Sequence, residues 1–445
     1  MTDLLDMLKR YNRPAPRYTS YPPVPQWQAA QHGLLISALR NSIAPLSIYV
    51  HIPFCEHLCL YCGCNVVIKK DHSIADAYVQ NLIEEMDLVD VAHGRVVTQM
   101  HWGGGTPTYL QPSQIRDLFN AIADRFELMP GGEFSIEIDP RATSSDHLRA
   151  LRSLGFNRLS VGIQDFDPNV QLAVRRFQSF EQTRALFDEA CSLGFESINA
   201  DLIYGLPKQT PASFNKTLDL VLELNPDRLA VFSYAHVPTL KRQQRSFEKY
   251  LPSESEKLQL FLDAIQRLTS AGYEHIGMDH FAKPADALVT ARDNGSLHRN
   301  FQGYTTHAET DLLGFGVSAI SHIGNVFTQN CRELPIWEDE IEAGRLPVYR
   351  DYIQRKDDLI RGAVIESLLC NGRVSKDEIE RHYPVRFDEY FLPELMRLNE
   401  FERDGLVEGR ESRIIRVTPS GRIFVRAVAQ VFDAFYSAAV ASKAV

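Results

Sequence analysis

Residues 49–65 read YVHIPFCEHLCLYCGCN and place Cys55, Cys59, Cys62 and Cys64 on one short stretch. The apolar residues before them, 47–53, are typical of a buried strand, so the cysteines are predicted to lie on the loop that follows it. A CxxxCxxC spacing can bring three thiolates around a single inorganic centre. Soft thiolates select zinc or an iron–sulfur cluster, and the two alternatives imply different kinds of protein.

The spacing favours a cluster over structural zinc. A structural zinc ion needs four protein ligands, which usually come from two CxxC pairs or from a CxxC and a distant HxxxH, and neither pairing is present here. Three cysteines instead suit three corners of a 4Fe-4S cluster and leave the fourth iron open to a small molecule. The alternatives are a zinc site completed by Cys64 or His57, and a disulfide within the group.

Composition limits the class of protein. The 445 residues are 44% hydrophobic and 23% charged, as in ordinary globular proteins. With a net charge of −10, the surface is not suited to broad attraction of nucleic acid or anionic membrane, and neither is expected as a partner. The first residues, MTDLLDMLKRYN, lack the apolar core of a signal peptide. We expect a cytoplasmic protein with reduced thiols, in which Cys191, Cys331 and Cys370 are small buried side chains.

The pattern along the chain predicts three parts. The stretch RPAPRYTSYPPVPQW disfavours regular structure and favours an extended N-terminal arm, residues 1–46, with a plain linker as the equal alternative. Residues 47–345 alternate between strand patterns, from SIYVHIP to HIGMDHFA, and helix patterns, which predicts a parallel sheet that is doubly wound or curled into a full or partial barrel. Residues 346–445 read as helices and a hairpin, similar to a winged-helix unit, and their acidic character favours docking or a lid over DNA binding.

Polar residues stand where the predicted strands end, which is where active sites of parallel sheets form. The triplet Gly103–Gly105 predicts either a tight turn or a nest of backbone amides for a carboxylate or an amine-bearing amino acid. Glu137 and Asp139 share one strand face and look like ligands for amines or sugar hydroxyls. Paired-carboxylate glycosidase chemistry competes with this interpretation, but it leaves the four cysteines unexplained. Further polar residues follow on later strands: Gln164, Arg176 and Asp201.

Several segments together resemble one known family. After YVHIPF and its cysteines come GGGTPT, SIEIDPR, NRLSVGIQDF, DLIYGLPKQT, FSYAHVPT and HRNFQGYTT. In this order they are similar to the oxygen-independent coproporphyrinogen III oxidases of the radical S-adenosylmethionine superfamily. The resemblance runs from PRYTSYP to the C-terminal helices.

The resemblance implies an α/β fold: a partial (β/α)6 TIM-like barrel, an N-terminal arm over the substrate pocket and a mostly helical, winged-helix-like C-terminal domain. It implies oxidative decarboxylation of two propionates of coproporphyrinogen III to vinyl groups, giving protoporphyrinogen IX by a 5'-deoxyadenosyl radical mechanism. The implied cofactors are a 4Fe-4S cluster and two molecules of S-adenosylmethionine. The implied partners are coproporphyrinogen III, an electron donor such as a flavodoxin or ferredoxin, and an electron acceptor, and the protein is expected to be a monomer.

The resemblance also assigns residues. Cys55, Cys59 and Cys62 match the cluster ligands, and Cys64 matches a catalytic, non-ligating cysteine beside the cluster. The positions that match contacts to the first S-adenosylmethionine are Tyr49, Gly104, Glu137 and Ile320. Those that match the lining of the second are Tyr61, Gly105, Thr106, Gln164, Arg176, Asp201 and Ala235.

Two positions depart from the family pattern, and one assignment comes from charge. Tyr61 stands where Phe is expected in some relatives, and Arg175 precedes Arg176 where Asn is expected, so the two arginines could compete for the pocket. Because the substrate is multiply anionic, Arg17 in the arm is the expected contact for a propionate.

Haem-trafficking or haem-modifying relatives are the second hypothesis, although the last cysteine and the arm disfavour it. A winged-helix redox regulator is the third, and it would need a basic recognition helix.

Overall fold

The computed structural model describes residues 2–436, with side chains from Asp6 onward. The strands, in chain order, are β1 (Gln28–Ala29), β2 (Leu46–Ile52), β3 (Phe54–Cys55), β4 (Val67–Ile68), β5 (Val96–Gly104), β6 (Glu127–Ile138), β7 (Arg158–Gln164), β8 (Ser197–Tyr204), β9 (Arg228–Ser233), β10 (Glu274–Gly277), β11 (His280–Ala282), β12 (His298–Asn300), β13 (Gly303–Thr305), β14 (Asp311–Phe315), β15 (Ile320–Ile323), β16 (Val326–Asn330), β17 (Val348–Ile353), β18 (Arg373–Ser375), β19 (Val407–Glu408) and β20 (Ile414–Val417).

The helices, in chain order, are α1 (Thr2–Tyr11), α2 (Leu34–Asn41), α3 (Ile74–Asp87), α4 (Pro112–Arg125), α5 (Ser145–Ser153), α6 (Pro168–Val174), α7 (Phe180–Ser192), α8 (Pro211–Leu224), α9 (Glu254–Ser270), α10 (Ala287–Asn294), α11 (Leu334–Glu342), α12 (Lys356–Asn371), α13 (Lys376–His382), α14 (Phe387–Tyr390), α15 (Leu392–Arg403) and α16 (Val425–Ala429).

The chain folds into two compact units whose limits differ from the predicted boundaries at 46 and 345. The sheet unit comprises Gln28–Arg267 and Glu309–Ile353. The helical unit gathers the residues up to Trp27, Leu268–Ala308 and the chain from Gln354 onward. Backbone pairing explains part of this division, because β1 pairs with β17 and so places Gln28 and Ala29 in the sheet unit.

The sheet unit is built on parallel strands joined by helices. Strands β2, β5, β6, β7, β8 and β9 lie side by side in chain order, and each pairs in parallel with the next. Each intervening helix buries one apolar stripe: α4, for example, buries Ile115, Leu118 and Ile122. This arrangement confirms the predicted partial (β/α)6 barrel, and it collects the carboxyl ends of the strands at one edge.

The sheet continues beyond β2 in a way that the sequence did not reveal. Strand β14 adds a further parallel strand beside β2. Strands β15, β16 and β17 then follow as an antiparallel meander. Buried Glu85 of α3 supports the turn between β14 and β15: its carboxylate accepts hydrogen bonds from the Gly316 amide at 2.7 Å and from Asn330 Nδ2 at 2.5 Å.

The helical unit ends in helices α12–α15 and an antiparallel sheet of β18, β20 and β19, which confirms the winged-helix-like C-terminal domain. The predicted end of that domain, residue 445, lies outside the described residues. One predicted strand was wrong: HIGMDHFA forms the hairpin β10–β11, with Met278 in the left-handed region at φ 41°.

The N-terminal segment is not extended throughout. It begins with α1 and continues without regular structure to Pro23, and Tyr11, Tyr18 and Tyr21 are buried. The proline-rich backbone finds side-chain donors within its own unit: Gln430 Nε2 donates to the Pro14 carbonyl at 2.8 Å, and Arg426 donates to those of Ala15 and Pro16. These bonds anchor the segment, because proline leaves only carbonyl groups to be satisfied.

The free cysteines outside the loop do not all lie in the core. Cys331 and Cys370 are buried as expected, whereas Cys191 is exposed near the end of α7, so that expectation was wrong. Across residues 2–436, no helix is both long and apolar enough to cross a lipid bilayer.

Candidate active site

The cysteine loop leaves β2 at the carboxyl edge of the sheet. The two ends of the loop are joined where β3 pairs in parallel with β4, and Cys55 lies opposite Ile68. Cys59 and Cys62 are joined by a turn in which the Cys62 amide donates to the Cys59 carbonyl at 3.0 Å. The loop is therefore a closed, hydrogen-bonded unit that presents its thiols on one side.

Residues 241–244 hold this loop through hydrogen bonds from their side chains to its backbone carbonyls. Lys241 Nζ donates to the Cys64 carbonyl at 2.6 Å, and Gln243 Nε2 donates to the Cys62 carbonyl at 3.2 Å. Gln244 Nε2 donates to the Tyr61 carbonyl at 3.0 Å and also to that of Ala235 at 3.3 Å. We call residues 241–244 the donor segment, because its side chains satisfy backbone carbonyls of the cysteine loop.

A cavity of about 170 Å³, the inner cavity, lies between the loop and the strand ends. It brings together most of the residues that the sequence had singled out. The predicted site residues that line it are Cys55, Cys59, Tyr61, Cys62, Cys64, Gly104, Gly105, Thr106, Glu137, Gln164, Arg176 and Asp201.

Four predicted residues lie elsewhere. Tyr49 lies on β2, where its hydroxyl is 3.0 Å from His51 Nδ1. Ile320 begins β15, and Ala235 is bound through its carbonyl to the donor segment. Arg17 belongs to the helical unit, where its guanidinium is ion-paired with Asp279.

The glycine triplet permits a close approach of backbone and side chains. A methyl group on Gly104, whose φ is +116°, would lie 2.6 Å from His51 Cε1, and one on Gly105 would lie 2.6 Å from the Pro53 carbonyl oxygen. The expected nest of free amides is not observed: Gly104 N donates to Glu137 Oε2 at 3.1 Å and Gly105 N to the Ile52 carbonyl at 2.8 Å. The glycines therefore serve steric fit, since larger residues would displace the loop from β5.

A buried charge cluster lies beside Cys59. Asp139 accepts hydrogen bonds from Arg141 Nη2 at 2.6 Å and from Arg176 Nη1 at 2.9 Å. Burial alone would raise the pKa of Asp139, but the two guanidinium groups hold it well below its usual range. Arg141 Nη2 and Arg176 Nη1 also approach Cys59 Sγ, at 3.6 and 3.8 Å. Two guanidinium groups therefore face this thiol.

The other loop thiols have different surroundings. A hydrogen bond from Cys64 lowers the pKa of Cys62, and Lys241 and Arg176 add favourable positive charge. Burial raises the pKa of Cys55 to about 12, although Thr106 Oγ1 lies 3.3 Å from its sulfur. Binding of a metal centre at Cys55 must therefore release a proton.

The donor set fits an iron–sulfur cluster better than a single ion. Among the described residues, no three cysteine, histidine or carboxylate side chains meet closely enough to hold one metal ion. Each thiol of a cluster binds a different iron, so cluster ligands lie further apart than ligands of one ion. Three thiols around one cavity, two of them near buried cations, match that requirement.

Two carboxylates that line the cavity, those of Glu137 and Asp201, have pKa values shifted in opposite directions. Burial would raise the pKa of Glu137, but His101, whose Nε2 lies 3.4 Å away, and the Gly104 amide hold it below its usual range. Burial raises the pKa of Asp201 to about 7, although Ser160 Oγ donates to it at 2.8 Å. Glu137 is thus prepared to pair with a cation, and Asp201 to share hydrogen bonds with a neutral polar group.

Gln164 lies at the cavity in a strained backbone conformation. It has φ 70° at the end of β7, a region that costs energy for any residue with a side chain. The next residue, Asp165, is buried and accepts hydrogen bonds from Gln209 Nε2 at 2.6 Å and Thr217 Oγ1 at 2.7 Å. These bonds hold the chain in place directly after Gln164.

Sequence reasoning missed several residues of the site. Arg141 was left unassigned although it follows Asp139 by two positions, and the charged pair in IDPR was a usable signal. His101 was missed although it alternates with Gly103 on β5. The donor segment gave no signal, because Lys and Gln in a polar stretch fit any exposed surface.

Comparison with known proteins places this site in a family. The model of the radical SAM superfamily matches residues 49–221, and the model of the HemN C-terminal domain matches residues 354–424. The oxygen-independent coproporphyrinogen III oxidase of Escherichia coli K12 is 46% identical over 435 residues, which cover 97% of this chain and 95% of the relative. The chain belongs to the oxygen-independent coproporphyrinogen III oxidase family. Another family member, from Pseudomonas aeruginosa, is 44% identical over 439 residues.

The solved structures agree. Coproporphyrinogen III oxidase from Escherichia coli, described as a radical SAM enzyme, matches with a TM-score of 0.93 at 45% identity. The match covers 97% of this chain and 99% of that one. Both units of the present chain thus have counterparts in a solved member of the family.

Proposed function

We propose that this chain catalyses the oxidative decarboxylation of two propionates of coproporphyrinogen III to vinyl groups, which gives protoporphyrinogen IX. One observation carries the proposal: the inner cavity joins loop cysteines of cluster-binding spacing to carboxylates and a buried guanidinium at the ends of parallel strands. Relatives that carry the oxidase name over nearly their whole length support it.

The residues present fit the cofactors of the family. Cys55, Cys59 and Cys62 would hold a 4Fe-4S cluster, with Cys64 beside it. When bound, the cluster and S-adenosylmethionine supply a 5'-deoxyadenosyl radical that removes a hydrogen atom from the substrate. The ionised Glu137 is suited to hold a cationic amino group, and the protonatable Asp201 is suited to a hydroxyl group.

Two molecules of S-adenosylmethionine are part of the proposal. Tyr49, Gly104, Glu137 and Ile320 would contact the first, around β2, β5 and β6. The second would be lined by Tyr61, Gly105, Thr106, Gln164, Arg176, Asp201 and Ala235. The separate placement of Glu137 on β6 and Asp201 on β8 supports two polar subsites in one cavity.

Arg17 is the proposed contact for a substrate propionate. It lines a cavity of about 270 Å³ in the helical unit, together with Tyr18 and Asp433. Asp279 pairs with Arg17 and would orient the guanidinium, which suits it to bind a carboxylate. We further propose a cytoplasmic monomer that takes electrons from a flavodoxin or ferredoxin and passes electrons from the substrate to an external acceptor. Thiols reserved for a cluster would suit a reducing cytoplasm.

The experiment is an anaerobic incubation. Reconstituted protein, coproporphyrinogen III, S-adenosylmethionine and dithionite are mixed, and the tetrapyrroles are separated by chromatography and mass spectrometry. Loss of two carboxyl groups per substrate supports the proposal, and the Cys59→Ser protein should form no vinyl product. An intact substrate, or one that has gained methyl groups, contradicts the proposal and indicates the trafficking or methyltransferase alternative.

A further inference from the structure

The turn of the β10–β11 hairpin holds a buried carboxylate, that of Asp279, inside the helical unit. Asp279 is ion-paired with Arg17, and its Oδ1 lies 2.8 Å from His280 Nδ1. Burial alone would raise the pKa of Asp279, but positive neighbours, of which Arg17 has the largest effect, hold it well below its usual range. Asp279 is therefore ionised and already has a cationic partner.

A second arginine near Asp279, Arg299 on β12 of the same unit, has no such partner. Among the described residues, its guanidinium has neither a hydrogen-bond acceptor nor an ion pair. Glu366 on α12 accepts a hydrogen bond from the backbone amide of Arg299, at 3.2 Å, and not from its side chain. Two of the guanidinium nitrogens, Nε and Nη1, are buried, whereas Nη2 is not. Because the residue is partly exposed, a ligand can reach Arg299 through Nη2.

An aromatic ring holds this guanidinium in place. The central carbon of the Arg299 guanidinium lies 5.1 Å from the centre of the Tyr304 ring. The ring itself is fixed, because its hydroxyl donates to the Leu369 carbonyl at 3.1 Å and a methyl group on Gly277 would lie 2.5 Å from that hydroxyl oxygen. Stacking on a ring occupies one face of a guanidinium but none of its N–H groups, which point outward in its plane. Arg299 is therefore held in position while its donors stay unused.

We propose that Arg299 is a carboxylate-binding residue and holds a propionate of the substrate. An arginine stays charged at physiological pH, so a partly buried guanidinium without an acceptor is costly until a ligand supplies one. A carboxylate fits, because it carries the opposite charge and accepts strong hydrogen bonds from a guanidinium. Since Arg17 is paired with Asp279 and Arg299 is unpaired, an incoming carboxylate gains more from Arg299. The inference rests on the proposed function, whose substrate carries propionates.

The first test measures binding and does not depend on turnover. Coproporphyrin III, the oxidised form of the substrate with the same propionates, is equilibrated by dialysis against the cluster-loaded protein without a reductant. Arg299→Met should raise the Kd about tenfold, because it removes a charge-assisted hydrogen bond, and Arg299→Lys should recover part of the affinity. Arg410→Met is the matched control. Arg410 is a partly buried arginine of the same unit whose guanidinium is already bound, by Glu402 at 3.2 Å, and its variant should bind as the parent does.

The second test separates ligand binding from a structural role. Without ligand, the melting temperature of Arg299→Met should equal or exceed that of the parent, because the change removes a charge that has no partner. With a fixed concentration of coproporphyrin III, the parent should gain more in melting temperature than the variant. A lower melting temperature of the ligand-free variant together with an unchanged Kd would overturn the proposal, by showing that Arg299 serves to support Tyr304.

A third measurement identifies the source of the carboxylate, because S-adenosylmethionine also carries one. The affinity for S-adenosylmethionine, measured by the same dialysis, should be equal in the parent and in Arg299→Met. A loss of S-adenosylmethionine affinity with unchanged coproporphyrin affinity would overturn the proposal by assigning the guanidinium to the cofactor. Failure of the proposed function gives a different result: coproporphyrin III binds and its affinity depends on Arg299, but the parent forms no vinyl product from coproporphyrinogen III with dithionite.

Discussion

At the scale of single residues, Asp139 compensates the buried guanidinium of Arg176 and the partly buried one of Arg141. Asp139→Ala would leave Arg141 and Arg176 without their anion, and removing one partner of a buried ion pair costs about 3–5 kcal/mol. We expect the free energy of unfolding, measured with urea at pH 7, to fall by an amount in this range. Asp146→Ala removes the exposed partner of Arg149 and should cost less than about 1 kcal/mol. Equal losses in the two variants would show that the cluster beside Cys59 does not stabilise the fold.

The loop cysteines should separate into two classes. Cys55→Ser, Cys59→Ser and Cys62→Ser should each lose the charge-transfer absorption and most of the iron and sulfide, because each removes one cluster ligand. Cys64→Ser should keep the cluster but lose turnover. Exposed Cys191 is the matched control, and Cys191→Ser should retain both. Full iron content in any of the first three variants would refute the ligand assignment.

Asp201 gives the cofactor-free protein a specific pH dependence. Its pKa is raised to about 7 in the folded state, so the folded protein holds a proton that the unfolded chain has released above about pH 4. This group therefore destabilises the fold increasingly as the pH rises from about 4 to 7, and the loss is constant above that. Asp201→Asn should remove this contribution. The measurement is the melting temperature of both proteins at pH 5 and pH 8: that of the parent should fall relative to that of the variant, and an equal change in both would contradict the raised pKa of Asp201.

Where spacing carried information, the sequence singled out residues that line the inner cavity. Local spacing was enough to identify Cys55, Cys59 and Cys62 as candidate ligands. Glu137 and Asp201 could be identified because an acid on an inward strand face is costly without a partner. Arg141 and Lys241 were not readable, because their roles depend on contacts between residues far apart in the chain. Lys241, for example, holds the carbonyl of Cys64.

At the scale of elements, the approach of β5 to the cysteine loop depends on Gly104. An alanine there would occupy a φ of +116° and contact the His51 ring, so strain and overlap add. We expect Gly104→Ala to lower the free energy of unfolding by roughly 1–3 kcal/mol more than Gly94→Ala. Gly94 is the matched control, with φ +76° but no heavy atom within 4 Å of an added methyl group. Guanidinium unfolding of both variants provides the comparison, and equal losses would mean that the close approach is not required.

Local patterns predicted the parallel elements better than the antiparallel ones. The strand and helix alternation from β2 to β9 was readable because each strand is a short apolar run followed by an amphipathic helix. Residues 275–282 were predicted to be one strand. The turn at Met278 was missed because it contains no proline and its one glycine, Gly277, looks like part of the strand. Strand β14 pairs with β2 across more than 200 positions, and such pairing leaves no local signal.

At the scale of the whole molecule, the N-terminal segment is part of the core of the helical unit. The Tyr11 ring lies 4.6 Å from that of Phe401, and its hydroxyl donates to Asp404 at 2.6 Å. Deletion of residues 1–24 should therefore unfold or loosen the helical unit as well as stop protoporphyrinogen formation. The sheet unit should keep its cluster, because the loop and the donor segment lie within it. Limited proteolysis with mass mapping, alongside cluster absorption, tests this outcome. Unchanged protease resistance in 354–436 would show that the segment acts only as an arm.

Domain limits were the least predictable feature at this scale. The N-terminal residues and residues 268–308 join the helical unit although both flank sheet-unit sequence. Polar bonds such as that from Gln354 Nε2 to the Tyr21 carbonyl, at 2.8 Å, connect chain ends that composition treats as unrelated. The break in composition near 345 lies before the edge of the unit, because β17 still belongs to the sheet unit, which ends at Ile353.

The donor segment has a consequence for repair. Because Lys241, Gln243 and Gln244 bind the loop through protein groups alone, the thiols keep their arrangement when the inorganic centre is lost. Such a chain loses little conformational entropy when it binds new iron and sulfide. Reassembly of the centre should therefore be fast and should not require refolding. In a cell exposed intermittently to oxygen, the lifetime of the active enzyme then depends on how often the centre is rebuilt. One polypeptide can bind several centres in succession.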